Sequence, residues 1–478
     1  MSDKLLIGMA QVDITPPASV SLHGQFHTRI SQYVESRLYA NVFAAESNGE
    51  QIIICSCDLV AVYAEFCKQT LALIKTKNKD IDVEKIIICA THIHTGPSFY
   101  KSVNTLHIAA EYLPKEIQYI DHEDIPSDVW LEDRCGSYIA EQVCEAVCKA
   151  WECRKPAYFS PSFGRAVVGH CRRVVYDDNS AKMYGSVDTA NFRELEGGND
   201  SGIELVYFFG EDKQPIGALV NVACPSQCVE MEYYVSSDFW GKARDQIKKQ
   251  LGEDFVVVGL CGAAGDQSPR DLVRRNNSRL RRTDPDMYGL EGAAELGGRI
   301  ADVVLNKIKP AQDNILNEAQ ILHQTMMVDF PLRKVTLSEY EAAKYSFNDY
   351  VAKAGKTVYT NQDMAALHIF GGIMNRFQVQ EEKQFFTSEI HVARFADIAI
   401  ATNPFELFLD YGNLIKARSA ATQTILIQLA NDCGGYLPTE KAERGSHYSA
   451  YVSSGMTGHV GGDLLVRKTL DAIQKLWQ

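Results

Sequence analysis

The feature that most constrains this chain is a series of short apolar runs, rich in β-branched residues, each of which leads directly into a polar loop. Such runs are typical of strands that are buried on both faces of a sheet. Stretches with apolar residues at helical spacing lie between them, which predicts an α/β fold with layered sheets flanked by helices. With the polar residues that end them, these segments are Gln51–Asp58, Ile86–Ser98, Phe255–Leu260, Ile398–Glu406 and Ile425–Asp432.

The helical stretches are separated without any linker rich in proline or serine. We therefore expect one elaborated domain over residues 1–478, in which the more polar region 310–395 forms an appended layer or lid. Thr336-Leu337-Ser338-Glu339 is a capping box that opens a helix to about Ala354. Asp238 is expected to cap a helix that runs to about Leu251. The helix predicted at 288–308 is expected to end before Pro310. The remaining helices are predicted at 62–77, 134–153, 238–251, 288–308 and 463–477.

The composition argues against several classes of protein. The net charge of −13 disfavours nucleic acids and anionic membranes as partners. No run reaches the roughly 18 apolar residues of a membrane span, and the N-terminus carries no signal-peptide core. The 13 cysteines lie mostly inside predicted strands and helices, as buried free thiols do. We therefore expect a cytoplasmic protein that takes a small-molecule substrate, and a homo-oligomer is left open.

Two histidines follow the second apolar run, in the segment Thr91-His92-Ile93-His94-Thr95-Gly96-Pro97. In an extended segment, residues two apart project from the same face, so both imidazoles are expected to reach one point at the rim of a sheet. Polar side chains past strand ends are the usual place of an α/β active site. The spacing alone leaves two interpretations open, a metal or catalytic pair and a pair of surface histidines.

Further motifs follow in a fixed order along the chain. Gly265-Asp266-Gln267-Ser268-Pro269 comes after the third run, Asn403-Pro404-Phe405-Glu406 after the fourth, and Gly434-Gly435-Tyr436 after the fifth. Together with Gly8–Pro17, Leu22–Gln25, Arg37–Ala40 and the histidine segment, they resemble the catalytic domain of the neutral/alkaline ceramidase family. The resemblance covers most of the chain. It implies a ceramidase-like α/β domain, here without the C-terminal β-sandwich module of longer members.

The resemblance also implies a zinc amidase. In such an enzyme His92, Glu406 and Tyr436 would hold the metal, and His94 would steady the oxyanion of the tetrahedral intermediate. Zinc with an open position lowers the pKa of bound water and polarises a carbonyl. The glycine-rich loop 262–265 would allow close approach of a ligand. The other implied or candidate site residues are the catalytic Ser268, Asp266 and Tyr451 and the substrate-binding Gln25, Arg172 and Gln227.

Local interpretations compete with these roles. Ser268 is also a plausible turn residue before Pro269, and Glu406 a favourable charge at a helix N-terminus. Arg172 and Arg173 suit either a substrate carboxylate or a surface salt bridge. A basic cluster after Ser268 suits an anionic substrate group, a neighbouring subunit or a solvated loop. It comprises Arg270, Arg274, Arg275, Arg279, Arg281 and Arg282.

One departure from the family pattern matters most. The family's second zinc histidine is absent, and Pro225, which cannot bind a metal, stands at or near its place. Three possibilities follow: a metal with a replacement ligand, a metal-independent acid/base enzyme acting on a carbohydrate or glycoside, and a binding protein without catalysis. The first predicts a hydrolase that cleaves an amide or related bond of a small polar substrate through metal-activated water. Its candidate replacement ligands are Cys224, Gln227, Cys228, Glu230, Asp238, His94 and His447.

Overall fold

Three sheets of four or five strands form the frame of the molecule. The computed structural model describes residues 4–101, 105–120, 125–274 and 287–478. In spatial order, the first sheet contains Ile86–Ala90, Glu50–Cys57, Tyr39–Ser47, Leu6–Asp13 and Lys155–Pro156. The second contains Val256–Cys261, Pro215–Val222, Gly202–Phe209 and Tyr158–Arg165. The third contains Ile321–Pro331, Phe385–Phe395, Ile398–Thr402 and Gln423–Ile427.

Each sheet has one parallel pair at an edge, and its other pairings are antiparallel. The parallel pairs join Glu50–Cys57 to Ile86–Ala90, Pro215–Val222 to Val256–Cys261, and Ile398–Thr402 to Gln423–Ile427. All five strands predicted from apolar runs belong to these pairs. Strands buried on both faces are the ones that apolarity reveals most clearly, because no polar alternation interrupts them.

An aromatic contact in the core ties the three sheets together. Phe43 of the first sheet stacks on Phe208 of the second, with ring centroids 4.4 Å apart. Phe395 of the third sheet meets Phe43 edge-on at 5.8 Å. Such pairs contribute about 0.5–1.5 kcal/mol each beyond the burial of their surface. The three sheets therefore share one apolar core, which fixes the relative positions of their strand ends.

Smaller strand pairs and helices complete the fold. The small strands are Gln118–Tyr119 with Val358–Tyr359, His170–Cys171 with Gln267–Ser268, Glu406–Leu407 with Tyr436–Leu437, and Arg173–Tyr176 with Ala181–Met183 and Phe192–Leu195. The helices are Ala64–Lys77, Thr105–Ala110, Glu132–Glu152, Asp238–Leu251, Gly289–Gln312, Leu337–Ala354, Asn361–Val379, Leu409–Arg418, Glu440–Gly445 and His459–Leu476, with short 3₁₀ turns at Val83–Lys85 and Val452–Ser454.

Two predicted helix ends differ from the structure. The helix Gly289–Gln312 continues through Pro310, which stands in its final turn. Near a C-terminus, the proline removes little of the hydrogen-bond ladder. The residue before the helix Asp238–Leu251 is Ser237 and not Asp238. The Asp238 carboxylate instead accepts a bond from the Val229 N–H. The capping box of Thr336 and Glu339 is confirmed.

The region 310–395, predicted as a layer or lid, combines two kinds of structure. Ile321–Pro331 and Phe385–Phe395 pair along their full length within the third sheet. The helices Leu337–Ala354 and Asn361–Val379 are inserted between these two strands. A lid role for the helical part stays a prediction.

All 13 cysteines are free thiols, and most are buried. Within the described ranges, no helix combines the length and the apolar character that crossing a bilayer requires.

Candidate active site

The ends of the three parallel pairs lead into loops that meet at one place. His92 and His94 follow Ile86–Ala90, Gln227 and Glu230 follow Pro215–Val222, and Ser268 follows Val256–Cys261. Glu406 and Tyr436 follow the two parallel strands of the third sheet and pair with each other directly. The contacts between these side chains define the candidate site.

His92 is anchored through one ring nitrogen and faces Glu406 with the other. Its Nδ1 lies 2.5 Å from the carbonyl oxygen of Val60, which can only accept, so Nδ1 carries the proton. Its Nε2 lies 3.2 Å from Oε2 of Glu406. The expected extended geometry of the histidine segment is wrong at His92, whose φ is +63°. This left-handed residue turns the chain, and the rings of His92 and His94 nevertheless lie 4.9 Å apart, edge to face.

A close backbone approach holds Glu406 in place. A Cβ on Gly265 would stand 2.2 Å from the Glu406 carbonyl oxygen, so glycine is required there. Three backbone amides of the loop that carries Gly265 are engaged within the protein. The N–H of Gly262 donates to Val222, that of Ala264 to Gln428, and that of Gly265 to Leu407. The glycine loop therefore positions Glu406.

His94 is locked in one tautomer by its two neighbours. Its Nδ1 donates to the carbonyl oxygen of Gly24 at 2.9 Å, and its Nε2 lies 3.0 Å from Nε2 of Gln227. The amide of Gln227 must donate there, because its Oε1 accepts a bond from Arg172 at 3.1 Å. Burial, with the nearby His92 ring and Arg172, holds the pKa of His94 well below its ordinary value. His94 is thus a neutral acceptor toward Gln227.

Arg172 contacts four other residues of the site. It is buried, and one terminal nitrogen contacts Gln227 and, at 3.3 Å, the hydroxyl of Tyr184. The other donates to the carbonyl oxygen of Gly265 at 2.9 Å and to the Tyr436 hydroxyl at 3.3 Å. Burial raises the pKa of Tyr436 well above its ordinary value, so the phenol keeps its proton unless a cation binds it. A substrate-binding role for Arg172 stays a prediction.

Arg173, the neighbour of Arg172, has a different environment. Its Nε and a terminal nitrogen bind both oxygens of Glu196 at 2.5 and 3.0 Å. Both partners are buried, so the alternative of a surface salt bridge is wrong for this residue. Arg173 is an internal structural cation.

Ser268 and Asp266, both in the Gly265–Pro269 loop, bind different parts of the protein. The Ser268 hydroxyl accepts bonds from the Tyr184 hydroxyl and from the Arg270 N–H, each at 3.2 Å. Ser268 is thereby linked through Tyr184 to the rest of the site. The Asp266 carboxylate instead accepts the Leu409 N–H at 2.9 Å, at the start of the helix Leu409–Arg418. Burial raises the pKa of Asp266 to about 6.

Gln25 lies on the other side of His94. Its amide donates to Oε2 of Glu230 at 3.4 Å, and the Tyr288 hydroxyl donates to Oε1 at 3.2 Å. The same Oε2 lies 3.8 Å from Nδ1 of His94. Burial raises the pKa of Glu230 above its ordinary value.

Tyr448 is a site residue that the sequence did not reveal. Its ring meets that of Tyr436 edge-on at 5.5 Å, and Phe26 packs on Tyr448 at 6.0 Å. Tyr451 lies beside His447, at 6.0 Å, and Phe370. The turn between the two tyrosines decides which one faces the site, and no sequence pattern distinguishes them. Tyr184 and Tyr288 were also missed, since both follow stretches without a motif.

The candidate replacement ligands divide into two groups. Gln227 and Glu230 contact His94, as described above. Cys224 and His447 bind backbone groups, and Cys228 adjoins Asp238. Within the part of the chain that the structure describes, no three residues of the His, Cys, Asp and Glu types are grouped as metal ligands. Of the predicted basic cluster, Arg275, Arg279, Arg281 and Arg282 lie outside the described residues.

Comparisons with known proteins agree with this architecture. No protein-family model matches the sequence, and neither does any curated protein. Neutral ceramidase from Pseudomonas aeruginosa matches with a TM-score of 0.70 at 16% identity, over 100% of this chain and 75% of that one. A ceramidase complexed with C2 matches with a TM-score of 0.71 at 15% identity, over 99% and 75% of the two chains. The chain therefore has the ceramidase-like α/β fold that its motifs predicted.

Proposed function

We propose that the protein is a hydrolase that cleaves an amide or related bond of a small polar substrate beside the His92–Glu406 pair. The observation that carries the proposal is the orientation of this pair. Because Nδ1 of His92 donates to Val60, a lone pair on Nε2 faces the Glu406 carboxylate at 3.2 Å. Two facing lone pairs repel each other unless a cation lies between them.

A zinc ion fits the donor set at this position. His92 and Glu406 supply a nitrogen and an oxygen, Tyr436 stands next to Glu406, and three protein ligands suffice for a catalytic zinc site. The backbone bond on Nδ1 of His92 is the usual support of a metal-binding histidine. Bound there, zinc would supply an activated water and polarise the substrate carbonyl.

The surrounding side chains support acyl transfer. Arg172 supplies a fixed positive charge, and its bond to the Gln227 oxygen fixes the direction of the Gln227 amide; both suit the negative charge that develops on a carbonyl oxygen. We assign that role to them and a positioning role to His94, because both ring nitrogens of His94 are already engaged. This assignment differs from the one that the family resemblance implies for His94.

A proton is the competing cation between His92 and Glu406. Pro225 at the place of the second histidine and the absence of a three-ligand group among the described residues favour this alternative. The pair would then act as a metal-independent acid and base, as a glycoside substrate would require. The two functions differ in the bond that is cleaved.

A substrate screen distinguishes them. The purified protein is incubated with short N-acyl amides, N-acyl amino acids, lactams and simple glycosides, and products are followed by mass spectrometry. We expect amide cleavage that Glu406→Gln lowers at least ~100-fold, because a neutral amide oxygen replaces a charged carboxylate ligand of the zinc that activates the water. Glu440→Gln, at an exposed glutamate, is the matched control. Cleavage of glycosides alone, or full activity in the Glu406→Gln variant, would refute the proposal.

We also infer a reducing compartment, as in the cytoplasm. The support is that all 13 cysteines are free, including pairs close enough to react, such as Cys55 and Cys57 with sulfurs 3.8 Å apart. Free thiols of this kind persist where glutathione and thioredoxin keep them reduced.

A further inference from the structure

Arg270 is held rigidly beside the site without a polar partner for its side chain. Its guanidinium lies 3.9 Å from the centre of the Tyr288 ring and 6.0 Å from that of Tyr184. Its buried Nε has no hydrogen-bond partner among the described residues, and the guanidinium forms no ion pair with any of them. Stacking on an aromatic face leaves the planar edge of an arginine free for bidentate binding.

Two further arginines of the site also lack a carboxylate partner within the described chain. Arg29 is fully buried and donates only to the carbonyl oxygens of Glu232, His23 and His94. Arg172 donates to carbonyl, amide and hydroxyl oxygens. Two buried arginines outside the site do have a carboxylate partner: Arg173 binds Glu196, and Arg244 binds Asp58.

The charges of the site therefore do not balance. Arg29, Arg172 and Arg270 face the two carboxylates Glu230 and Glu406. This excess of positive charge lies in a chain whose net charge is −13. Charges removed from water are stable only when they are paired, so the site is complementary to an anion.

Contacts through Tyr184 place Arg270 near the proposed reaction centre. The backbone N–H of Arg270 donates to Ser268, and Ser268 binds the Tyr184 hydroxyl, each at 3.2 Å. Tyr184 in turn lies 3.3 Å from Arg172, which contacts Tyr436 at the same distance. The Arg270 guanidinium itself lies 6.0 Å from the centre of the Tyr184 ring, so its free edge is close to the residues of the reaction centre.

We propose that Arg270 binds an anionic group of the substrate, a carboxylate or a phosphate, and that the positive charge of Arg172 supports this binding electrostatically. The identity of the bond cleaved next to this group rests on the proposed function, whereas the binding of the anion does not. Tyr288 positions Arg270 by stacking and holds Glu230 through its hydroxyl, so the Glu230 carboxylate is kept engaged. The substrate class is therefore an N-acyl compound with an acidic group.

Calorimetric binding of matched probes tests the proposal without requiring turnover. N-acetylglycine carries a carboxylate, N-acetylglycinamide is its neutral isostere, and N-acetyl-O-phosphoethanolamine carries a phosphate. We expect at least one anionic probe to bind ~10-fold or more tightly than the neutral one, as charge-assisted bidentate bonds allow. We expect Arg270→Gln to abolish this preference and Arg270→Lys to retain part of it.

Two controls make the outcome decisive. Arg418→Gln removes the same charge at an exposed arginine and should leave the preference unchanged, and circular dichroism of each variant verifies folding. Equal binding of all three probes, no binding of either anion at millimolar concentration, or an unchanged preference in a folded Arg270→Gln variant would overturn the anion site. If an anion binds but its amide is not cleaved, the anion site stands and the proposed hydrolysis fails.

Discussion

A single amide side chain determines the chemistry of His94. Gln227 presents its oxygen to Arg172 and its nitrogen to Nε2 of His94, and neither group can reverse without placing two donors against each other. With Nδ1 held by Gly24, His94 has no N–H left for a substrate. The orientation of Gln227 therefore explains why His94 positions its neighbours and Arg172 carries the charge.

Exchanging this amide for a carboxylate should reverse the state of His94. In the Gln227→Glu variant an oxygen anion would face Nε2, and we expect a raised pKa and an imidazolium near neutral pH. In the unchanged protein His94 should stay neutral from pH 6 to 8, protonated on Nδ1. The ring ¹⁵N chemical shifts of histidine-labelled protein report both states, and a His94→Gln spectrum identifies the signal. An ordinary titration of His94 in the unchanged protein would contradict this account.

At the scale of single residues, the sequence revealed the identity of the site better than its geometry. His92, Glu406 and Tyr436 were predicted and do lie together. Their contacts depend on a left-handed φ at His92, which no residue type demands. The choice between Tyr448 and Tyr451 depends on the path of a turn in the same way.

The pairing of the short strands Glu406–Leu407 and Tyr436–Leu437 is the element on which the site depends. Gly265 packs against this element so closely that no side chain fits, as the 2.2 Å approach to the Glu406 carbonyl shows. The element therefore has no room to relax.

Gly265→Ala should displace the strand of Glu406. We expect a loss of about 1–3 kcal/mol in the free energy of unfolding, as in overpacked cores, together with reduced activity. Gly198→Ala is the control, because a Cβ there meets nothing within 4 Å. Guanidinium unfolding curves measure the effect, and equal midpoints for the two variants would exclude the proposed constraint.

At the scale of elements, apolar runs predicted five of the six strands that form the parallel pairs, but not their pairing, and they missed much of the antiparallel remainder. Leu6–Asp13 and Tyr39–Ser47 contain glycine, alanine and polar residues, so their run of apolarity is interrupted. These strands are specified by pairing and by the aromatic core, which are not visible in a local window.

Across the whole molecule, histidines buried in neutral form couple stability to pH. His323 of the third sheet contacts His391 at 2.9 Å, and burial together with His391 and Lys85 lowers its pKa to about 3. The unfolded chain binds a proton at this residue near pH 6.5, and the folded chain does not. Folding stability is therefore complete above about pH 6.5 and declines as the pH falls toward 3.

Replacing this histidine should flatten the acid side of the stability profile. We expect His323→Gln to remove up to ~1.4 kcal/mol per pH unit of the decline between pH 6 and 4. Guanidinium midpoints at intervals of one pH unit give the comparison, and parallel profiles for His323→Gln and the unchanged protein would contradict the prediction.

For the whole molecule, the sequence predicted the fold class, an α/β fold with a site at its strand ends, but not the arrangement of three sheets around that site. Strand ends and polar loops indicated an α/β site, but the sequence contains no signal that brings Gln227, Arg172 and Glu230 around His94. Those contacts join segments far apart in the chain, and the shared core of the three sheets fixes them.

The metal content of the purified protein tests the central claim most directly. We expect inductively coupled plasma mass spectrometry to find about one zinc ion per chain after dialysis. The Glu406→Gln and His92→Gln variants should lose most of this zinc, and the Glu440→Gln variant should retain it. That result would establish the cation between His92 and Glu406 as a metal. A folded protein without stoichiometric metal, even after incubation with zinc, would contradict the account and leave a proton in its place.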